Sequence, residues 1–301
     1  MWQRVIAAAL LALAAAGGLS QARAQSVGAI PEQIDGRVYI LRGDLGIFFS
    51  TGMDYLAAEL NNRGMTAGVY AWENWIALAD DAIARYRAAP HRTRILLAGH
   101  SRGGDGLIAL AWRLHSAHVP VALAVAFDPT RVVGKVPPNV ERFINLYQST
   151  NALGGGAARP SRAFRGNYAT VNLADRREMN HVTIDKMLSL HGAIIPKFLE
   201  AVSFGAPQEA GVPIEYRVPP GARVEVWDSG IKVRASAGDT PESLAERFGV
   251  PTWVVAQLNK LVLEEPIEPG KELVVPRMIF TPTTASLPKT PVASADLIQR
   301  R

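Results

Sequence analysis

Ser101 is the residue whose setting most clearly predicts chemistry. It stands in the segment Gly99-His100-Ser101-Arg102-Gly103, which follows the apolar run 95–98 and precedes a stretch compatible with a helix. A serine on such a strand–turn–helix junction is lifted out of the helix, so its hydroxyl is exposed and can act as a nucleophile. The flanking glycines leave room where a Cβ would meet the strand or the helix. Because this short pattern also occurs in ordinary tight turns, a surface serine without chemistry is the alternative interpretation.

A serine nucleophile needs a base that takes the hydroxyl proton and an acid that orients this base. His181 lies after the last strand predicted in this region, just before a helix, and is our candidate for the base. Asp128 ends the apolar run 121–127, at the edge where the carboxyl ends of parallel strands meet the ligand crevice. The chain order serine, aspartate, histidine fits this arrangement. Asp175 and Asp185 stay open as alternative acids, because an aspartate before a proline also opens turns.

The other five histidines are less suited to the role of base. His100 lies inside the turn and is expected to point away from the nucleophile. His115 and His118 lie at the far end of the helix that follows, and His91 precedes its strand. His191 lies within the closing helix, where it is expected to pack or to face solvent. The alternative for His181 itself is a residue that only caps the start of this helix.

Two backbone N–H groups are expected to stabilise the oxyanion that forms during acyl transfer. One is the N–H of Arg102, which follows the nucleophile at the start of a helix whose dipole favours negative charge. The other is expected from the loop Arg42-Gly43-Asp44-Leu45-Gly46 after the first predicted strand. Asp44 is the best candidate there, through its N–H and not its carboxylate. The side chains of Arg102 and Asp105 are assigned no chemistry.

The elements that must position these residues follow from alternating runs of residue types. Short β-type runs alternate with longer helical runs over residues 37–200, which predicts a mostly parallel sheet covered by helices. Strands are expected at 37–41, 67–70, 94–98, 121–127, 142–147 and 168–173, and helices at 51–62, 73–87, 104–115 and 184–202. A loop rich in glycine, alanine and arginine at 149–167 is expected to frame the site.

With these motifs in this order, the segment from Arg37 to about Glu200 resembles the α/β-hydrolase superfamily of esterases, lipases and thioesterases. Phe127-Asp128-Pro129 is similar to the aspartate–proline of lipases whose acid ends the strand after the nucleophile helix, which favours Asp128. The resemblance implies an α/β-hydrolase-type, mostly parallel sheet flanked by helices. Many members have His-Gly in the first loop, where this chain has Arg42-Gly43. The short segment 128–143 implies an open site without a large lid, and the proposed chemistry requires no cofactor and no metal.

A second group of motifs lies in residues 233–276, which read as strand, helix, helix, strand. The marks are Gly238-Asp239-Thr240, Phe248-Gly249-Val250, Leu258-Asn259 and the Pro-Gly-x-x-Leu at 269–273. In combination they resemble the LysM domain, a small βααβ module that binds polymers containing N-acetylglucosamine, such as peptidoglycan and chitin. The resemblance implies sugar contacts in two loops, from Gly238, Asp239, Thr240, Asn259, Leu261 and Ile267. Lys260 stands where this family often has glycine, and a module that only packs against the first domain is the alternative.

Composition and the N-terminal residues bound the class of protein. The 301-residue chain has no cysteine, which excludes disulfides, thiol chemistry and a lipid anchor on cysteine. Its formal net charge is +5 and its basic residues are scattered, so no nucleic-acid groove is predicted. Residues 1–24 predict a secretory signal peptide, with Arg4, an apolar stretch at 5–13 and the cleavage site Ala22-Arg23-Ala24. This stretch is short for a membrane span, so no transmembrane segment is expected after cleavage.

The expected organisation is a signal peptide at 1–24, an α/β-hydrolase domain at 25–203, a linker at 204–230, a LysM domain at 231–278 and a flexible tail at 279–301. The expected function is that of an exported serine hydrolase, periplasmic or secreted, which cleaves a carboxylic ester or thioester and is anchored to peptidoglycan. The alternative is a catalytically inactive protein of hydrolase fold that acts as a peptidoglycan-binding scaffold. A wall amidase or a glycan acetyl esterase is a third possibility.

Overall fold

A computed structural model describes residues 34–203 and 211–277 of the chain. The predicted signal peptide at 1–24 and the predicted tail at 279–301 lie outside the described residues. So do residue 278, at the end of the predicted LysM domain, and residues 204–210, at the start of the predicted linker.

Seven parallel strands form the central sheet, in the order β2-β1-β3-β4-β5-β6-β7. The strands are β1 (Asp35–Arg42), β2 (Thr66–Ala71), β3 (Thr93–His100), β4 (Leu123–Phe127), β5 (Arg142–Tyr147), β6 (Asn167–Asn172) and β7 (Ile214–Arg217). β4 and β5 are buried along their whole length, as expected of strands that helices cover on both faces. The predicted mostly parallel sheet is confirmed.

In the described ranges, five α-helices accompany this sheet: α1 (Gly46–Phe49), α2 (Gly52–Asn62), α3 (Trp75–Ala88), α4 (Arg102–Ser116) and α5 (Leu188–Ser203). Two separate apolar cores show that helices cover both faces. On one face, side chains of α2 and α5 such as Leu56 and Phe198 pack against the sheet. On the other face, side chains of α3 and α4 such as Ala79 and Leu107 do so. Because β3 and the inner face of α4 are both buried, the turn between them is held in place at the carboxyl edge of the sheet.

β7 lies inside the segment 204–230 that the sequence predicts as a linker. Ile214 and Tyr216 alternate with exposed residues along β7, and each is only 2% exposed. Val224 and Trp227, further along the same segment, also belong to the core. The strand has only four residues, and only two of them point inward. Two apolar positions among prolines and glycines are too few to show the alternation that identifies a strand in a sequence. The described part of this segment is therefore packed against the sheet.

The C-terminal module consists of β8 (Gly230–Arg234), α6 (Pro241–Phe248), α7 (Thr252–Asn259) and β9 (Glu272–Pro276). β8 and β9 pair antiparallel, which confirms the predicted βααβ order. The Thr240 hydroxyl accepts the Ser243 N–H and caps α6, while Gly249 ends this helix at φ 62°. Local sequence signals thus determine both ends of α6.

The module packs against β7. The side-chain amide of Gln257, on α7, accepts the N–H of Arg217 at 3.0 Å and donates to its carbonyl oxygen at 2.8 Å. The Trp253 ring lies 6.1 Å from the Tyr216 ring and 6.4 Å from the Trp227 ring, measured between centroids. The core on this face of the sheet therefore continues into the module. Among the residues that the structure describes, no helix has the length and apolarity needed to cross a bilayer.

Candidate active site

Ser101 occupies a strained turn between β3 and α4. Its backbone has φ 56° and ψ −128°, a conformation that residues with a side chain rarely adopt. The two glycines of the motif are required by close contacts: a Cβ on Gly99 would lie 2.2 Å from the Gly103 carbonyl oxygen, and one on Gly103 would lie 2.1 Å from the Leu41 carbonyl oxygen. The local sequence therefore allows the serine to stand at the tip of the turn, as the G-x-S-x-G pattern predicts.

His181 bridges Ser101 and Asp128. Its Nε2 lies 3.0 Å from the Ser101 Oγ, and its Nδ1 lies 2.7 Å from the Asp128 Oδ2. A carboxylate only accepts hydrogen bonds, so Nδ1 carries the proton of the neutral ring and Nε2 is free to accept the serine proton. The three candidates for nucleophile, base and acid thus form one chain of hydrogen bonds, although 80 residues separate Ser101 from His181.

Asp128 is fully buried and is held from several sides. Its Oδ1 accepts the N–H groups of Gln148 at 3.0 Å and Gly155 at 2.8 Å, and its Oδ2 accepts the Asn151 side-chain N–H at 2.9 Å. Asp128 directly follows β4, and its backbone is in the left-handed region, with φ 44°. Gly154 adds a close approach, since a Cβ there would lie 2.2 Å from the Asp128 Oδ2. The loop predicted to frame the site therefore supplies much of the surroundings of this acid.

The two alternative acids lie elsewhere. Asp175 forms an ion pair with Arg217 at the edge of the sheet. Asp185 is buried, and its Oδ2 accepts the Gly52 N–H at 2.9 Å at the start of α2. Burial raises the pKa of Asp185 to about 6. Within the described part of the chain, Asp128 is the carboxylate that hydrogen-bonds to the His181 ring.

Asp44 and Arg102, the predicted sources of oxyanion donors, both line the cleft at Ser101. The Asp44 carboxylate turns away to accept the Trp72 indole N–H at 2.8 Å, and it lies 3.6 Å from the Arg102 Nε. The Arg102 guanidinium stacks 4.3 Å from the centroid of the Trp72 ring. Arg102 is the first residue of α4, where N–H groups lack an intrahelical acceptor. These side-chain contacts leave the two backbone N–H groups as the groups to test, as the sequence predicts.

The cleft has a volume of about 520 Å³ and two kinds of wall. Leu45, Phe49, Leu153 and Val182 form an apolar rim, and all four are among the exposed large apolar residues of the protein. Ser101 and His181 lie at the polar side, together with the oxyanion candidates. A group bound against the rim would leave water when it enters, which favours an apolar substituent next to the reacting carbonyl.

His100 is a residue whose place the sequence reasoning missed. The sequence predicts a ring that points away from the nucleophile, but the ring lies 5.0 Å from the His181 ring and hydrogen-bonds to the His181 backbone. Ser50 and Lys186 were not singled out either. Lys186 donates from Nζ to the carbonyl oxygens of Phe49, at 3.1 Å, and Val182, at 2.5 Å. No signal in the sequence predicts these contacts, because the partners come from distant segments.

The predicted sugar-binding residues of the module have mostly internal partners. The Asp239 carboxylate accepts the Ser236 N–H at 2.7 Å and forms an ion pair with Arg247. The Asn259 side chain donates to the carbonyl oxygens of Val255 and Val274 and accepts the Val274 N–H. These contacts hold α6, α7 and β9 together and leave the backbone and the exposed loop residues as the groups available to a glycan.

The remaining predicted sugar contacts divide between the two loops. Gly238 has φ 84° and open space around its Cα, Thr240 caps α6, and Ile267 is buried. Leu261 is half-buried, directly after Lys260, which has φ 53°. This left-handed conformation explains why glycine suits position 260. In the described ranges 34–203 and 211–277, no three histidine or acidic side chains are grouped so that they could hold a metal ion.

Comparison with known proteins identifies one part of the chain directly. Residues 234–276 match the family model of the LysM domain, which confirms the predicted resemblance of this segment. The match covers less than half of the chain, so it identifies the module and not the whole protein. No curated protein matches the sequence.

Two solved structures show a more general likeness. One, assigned to the α/β superfamily of hydrolases and from Xanthomonas campestris pv. campestris, has 15% identity and a TM-score of 0.32, covering 56% of this chain and 95% of its own. The other, a gene product of Listeria innocua, has 13% identity and a TM-score of 0.38, covering 62% of this chain and 98% of its own. Both TM-scores lie below 0.5, and the fold of this protein is defined by its own strand order.

Proposed function

We propose that this protein is a serine hydrolase that cleaves carboxylic esters or thioesters, and that its LysM domain holds it at peptidoglycan. The observation that carries the proposal is the chain of hydrogen bonds from Asp128 through His181 to Ser101. Backbone strain supports it: Ser101, Asp128 and Leu45 are three of the five non-glycine residues with positive φ in the described ranges, and all three lie at the site. Strain of this kind persists where the surrounding structure enforces a functional geometry.

The proposed reaction has two halves. The Ser101 Oγ attacks the carbonyl carbon while its proton passes to the His181 Nε2, and the N–H groups of Arg102 and Asp44 stabilise the oxyanion. His181 then gives this proton to the leaving alcohol or thiol, and an acyl-serine remains. A water molecule enters, loses a proton to the same nitrogen and attacks the acyl carbon. The bond from this carbon to the Ser101 Oγ then breaks, His181 returns the proton to Oγ, and the acid is released. Asp128 keeps Nδ1 protonated throughout.

A fluorophosphonate probe tests the nucleophile, because it labels a serine only when a base activates it. The full-length wild type is expected to be labelled, and Ser101→Ala is expected to lose labelling while it keeps its melting temperature. Ser116→Ala, at the opposite end of α4, is the matched control and should be labelled like the wild type. An unlabelled but folded wild type would refute the enzymatic proposal and favour the inactive scaffold.

Co-sedimentation with insoluble peptidoglycan tests the proposed anchor. LysM domains bind N-acetylglucosamine polymers, and this binding supports a cell-wall location. Together with the predicted signal peptide at 1–24, it supports a periplasmic or secreted protein. A truncation near residue 204 would remove β7 and the core residue Trp227, so substitutions in the full chain are the better test. Leu263→Glu, in the exposed second loop, is expected to reduce pelleting at least tenfold.

The matched control for the anchor is Val132→Glu, which places the same charge on an exposed residue of the sheet domain. This variant should pellet like the wild type. A wild type that stays in the supernatant would refute the proposed anchor. The proposed chemistry would stand, because the labelling experiment does not depend on binding to peptidoglycan.

A further inference from the structure

Beneath the nucleophile, His100 occupies a buried position whose two ring nitrogens both have partners. Its Nε2 lies 2.8 Å from the His181 carbonyl oxygen, and its Nδ1 lies 2.9 Å from the Ser50 Oγ. The ring is 1% exposed. Burial, followed in importance by the neighbouring His181, lowers the pKa of His100 to about 4. At neutral pH the ring is therefore uncharged and carries one proton.

The partners determine where this proton is. A carbonyl oxygen only accepts, so Nε2 carries the proton and donates to His181. Nδ1 must then accept, which makes the Ser50 hydroxyl its donor. The Ser50 Oγ in turn accepts the Gly43 N–H at 3.2 Å. Each hydrogen bond in this chain thus has one possible direction, from the Gly43 N–H through Ser50 and His100 to the His181 carbonyl oxygen.

This chain of hydrogen bonds joins the proposed oxyanion loop to the proposed base. Gly43 precedes Asp44 in the loop expected to supply an oxyanion donor, and a Cβ on Gly43 would lie 2.8 Å from the Ser101 Cβ. At its other end, the chain of hydrogen bonds reaches the backbone of His181, the proposed base. Because the Gly43 N–H is directed at Ser50, it is not available to the oxyanion, which leaves that role to Asp44. The three bonds therefore set the distance between the oxyanion loop and the backbone of the base.

We propose that Ser50 and His100 are positioning residues that hold the oxyanion loop and the His181 backbone in register. The inference rests on the proposed serine-hydrolase function. Both residues line the cleft, but each is only 1% exposed, so neither is assigned a contact with the substrate. A misplacement of a catalytic group by about 1 Å can cost about a hundredfold in rate, so loss of either link should lower the rate of the chemical step and leave probe binding nearly unchanged.

Saturation kinetics of fluorophosphonate labelling separate these two effects, since they give the maximal labelling rate and the probe concentration at half-saturation. Ser50→Ala in the full-length protein is expected to lower the maximal rate about tenfold to a hundredfold, with half-saturation unchanged within about twofold. Ser50→Thr keeps a hydroxyl and should restore most of the rate. His100→Gln can still donate to the His181 carbonyl oxygen but cannot accept from Ser50 in the same place, so it should resemble Ser50→Ala.

A double variant distinguishes one chain from two separate effects. Because Ser50→Ala and His100→Gln break the same link, their combination should be no slower than the slower single variant. Fold losses that multiply would overturn the inference. If His100→Gln does not fold, Ser50→Ala alone decides the question, since a maximal rate equal to that of the wild type also overturns it.

Ser229→Ala is the matched control, because Ser229 is equally buried and its hydroxyl donates to Asp228 at 2.9 Å, within the segment that leads into β8. It should lower the melting temperature without a change in the maximal labelling rate. If Ser229→Ala slows labelling as much as Ser50→Ala does, the effect is one of general stability and the inference is wrong. A wild type that the probe does not label would instead refute the proposed function itself.

Discussion

Asp128→Asn is the substitution that best tests the orienting role of this acid. In the wild type, Oδ1 accepts two buried backbone N–H groups, while Oδ2 accepts the protonated Nδ1 of His181 and the side-chain N–H of Asn151, a half-buried residue whose amide can turn to water instead. An asparagine has one oxygen and one NH₂ group to divide between these two places. With the oxygen kept on the two backbone donors, the NH₂ group faces Nδ1, so His181 must accept there and carry its proton on Nε2. That tautomer cannot take the proton of Ser101.

The structure also sets the size of the effect. To recover the productive tautomer the amide must flip, which leaves the N–H groups of Gln148 and Gly155 facing an NH₂ group in a fully buried place. Each unsatisfied buried donor costs about 1–3 kcal/mol. The flipped form is therefore disfavoured by about 2–6 kcal/mol, and one factor of ten corresponds to about 1.4 kcal/mol. We expect the labelling rate to fall by about thirtyfold to 10⁴-fold.

The assay is the rate of fluorophosphonate labelling, followed beside thermal unfolding so that the fraction of folded protein is known. Asp105→Asn is the control, because Asp105 accepts the N–H and hydroxyl of Thr130 close to the site without contacting His181. This control should stay within about threefold of the wild type, since the change removes no contact to the triad. A folded Asp128→Asn protein labelled within tenfold of the wild type would refute the orienting role and reopen the choice of acid.

Four further predictions follow from single contacts. Gly154→Ala should lower the labelling rate at least about a hundredfold, since its Cβ would lie 2.2 Å from the buried carboxylate and 2.5 Å from the histidine Nδ1; Gly192→Ala, whose Cβ meets open space, should not. Burial raises the pKa of Asp185 to about 6, so the folded protein loses up to about 3 kcal/mol of stability as pH rises from about 4 to 6. Asp185→Asn should therefore gain stability over the wild type across this range in thermal unfolding, and a difference independent of pH would contradict the assignment. If the apolar rim binds an acyl group, each added methylene should raise kcat/KM about fourfold from p-nitrophenyl acetate to octanoate, and Phe49→Ser should flatten this series. Trp253→Ala should destabilise the sheet domain as well as the module, by about 1–3 kcal/mol for this half-buried ring, and a drop confined to the module in hydrogen exchange would show that the two fold separately.

The sequence predicts the strands of the sheet well where most of their residues are apolar and buried. It predicts short elements poorly, because they show no periodic pattern. β3, β4 and β5 each carry buried apolar residues over most of their length, so the sequence predicts all three as strands, but it does not predict their order in the sheet. The sequence does not predict α1, because four residues form less than two turns and show no helical period. The sequence does not predict β7 either, because its four residues are too few to show a period of two.

The site divides in the same way. Ser101, Asp128 and His181 could be selected because a motif, a strand end and a chain order each point to one residue. The role of His100 could not be predicted, since it depends on which ring nitrogen is protonated, and two partners from separate segments decide that. For the sugar contacts, the family resemblance predicts Asp239 and Asn259 as binding residues. Their side chains instead hydrogen-bond within the module and hold its elements together.

The packing of the LysM domain bears on which esters the proposed enzyme would reach. A module on a flexible tether lets a catalytic site sample every position within the span of the linker, at an effective concentration set by linker length. Here Gln257 binds both backbone groups of Arg217, and Trp253 packs on the ring of Tyr216. An anchored enzyme of this kind keeps its active site at a fixed position relative to the bound glycan. We therefore expect esters carried on the same polymer, or diffusing past it, to be favoured over esters that a swinging domain would have to search for.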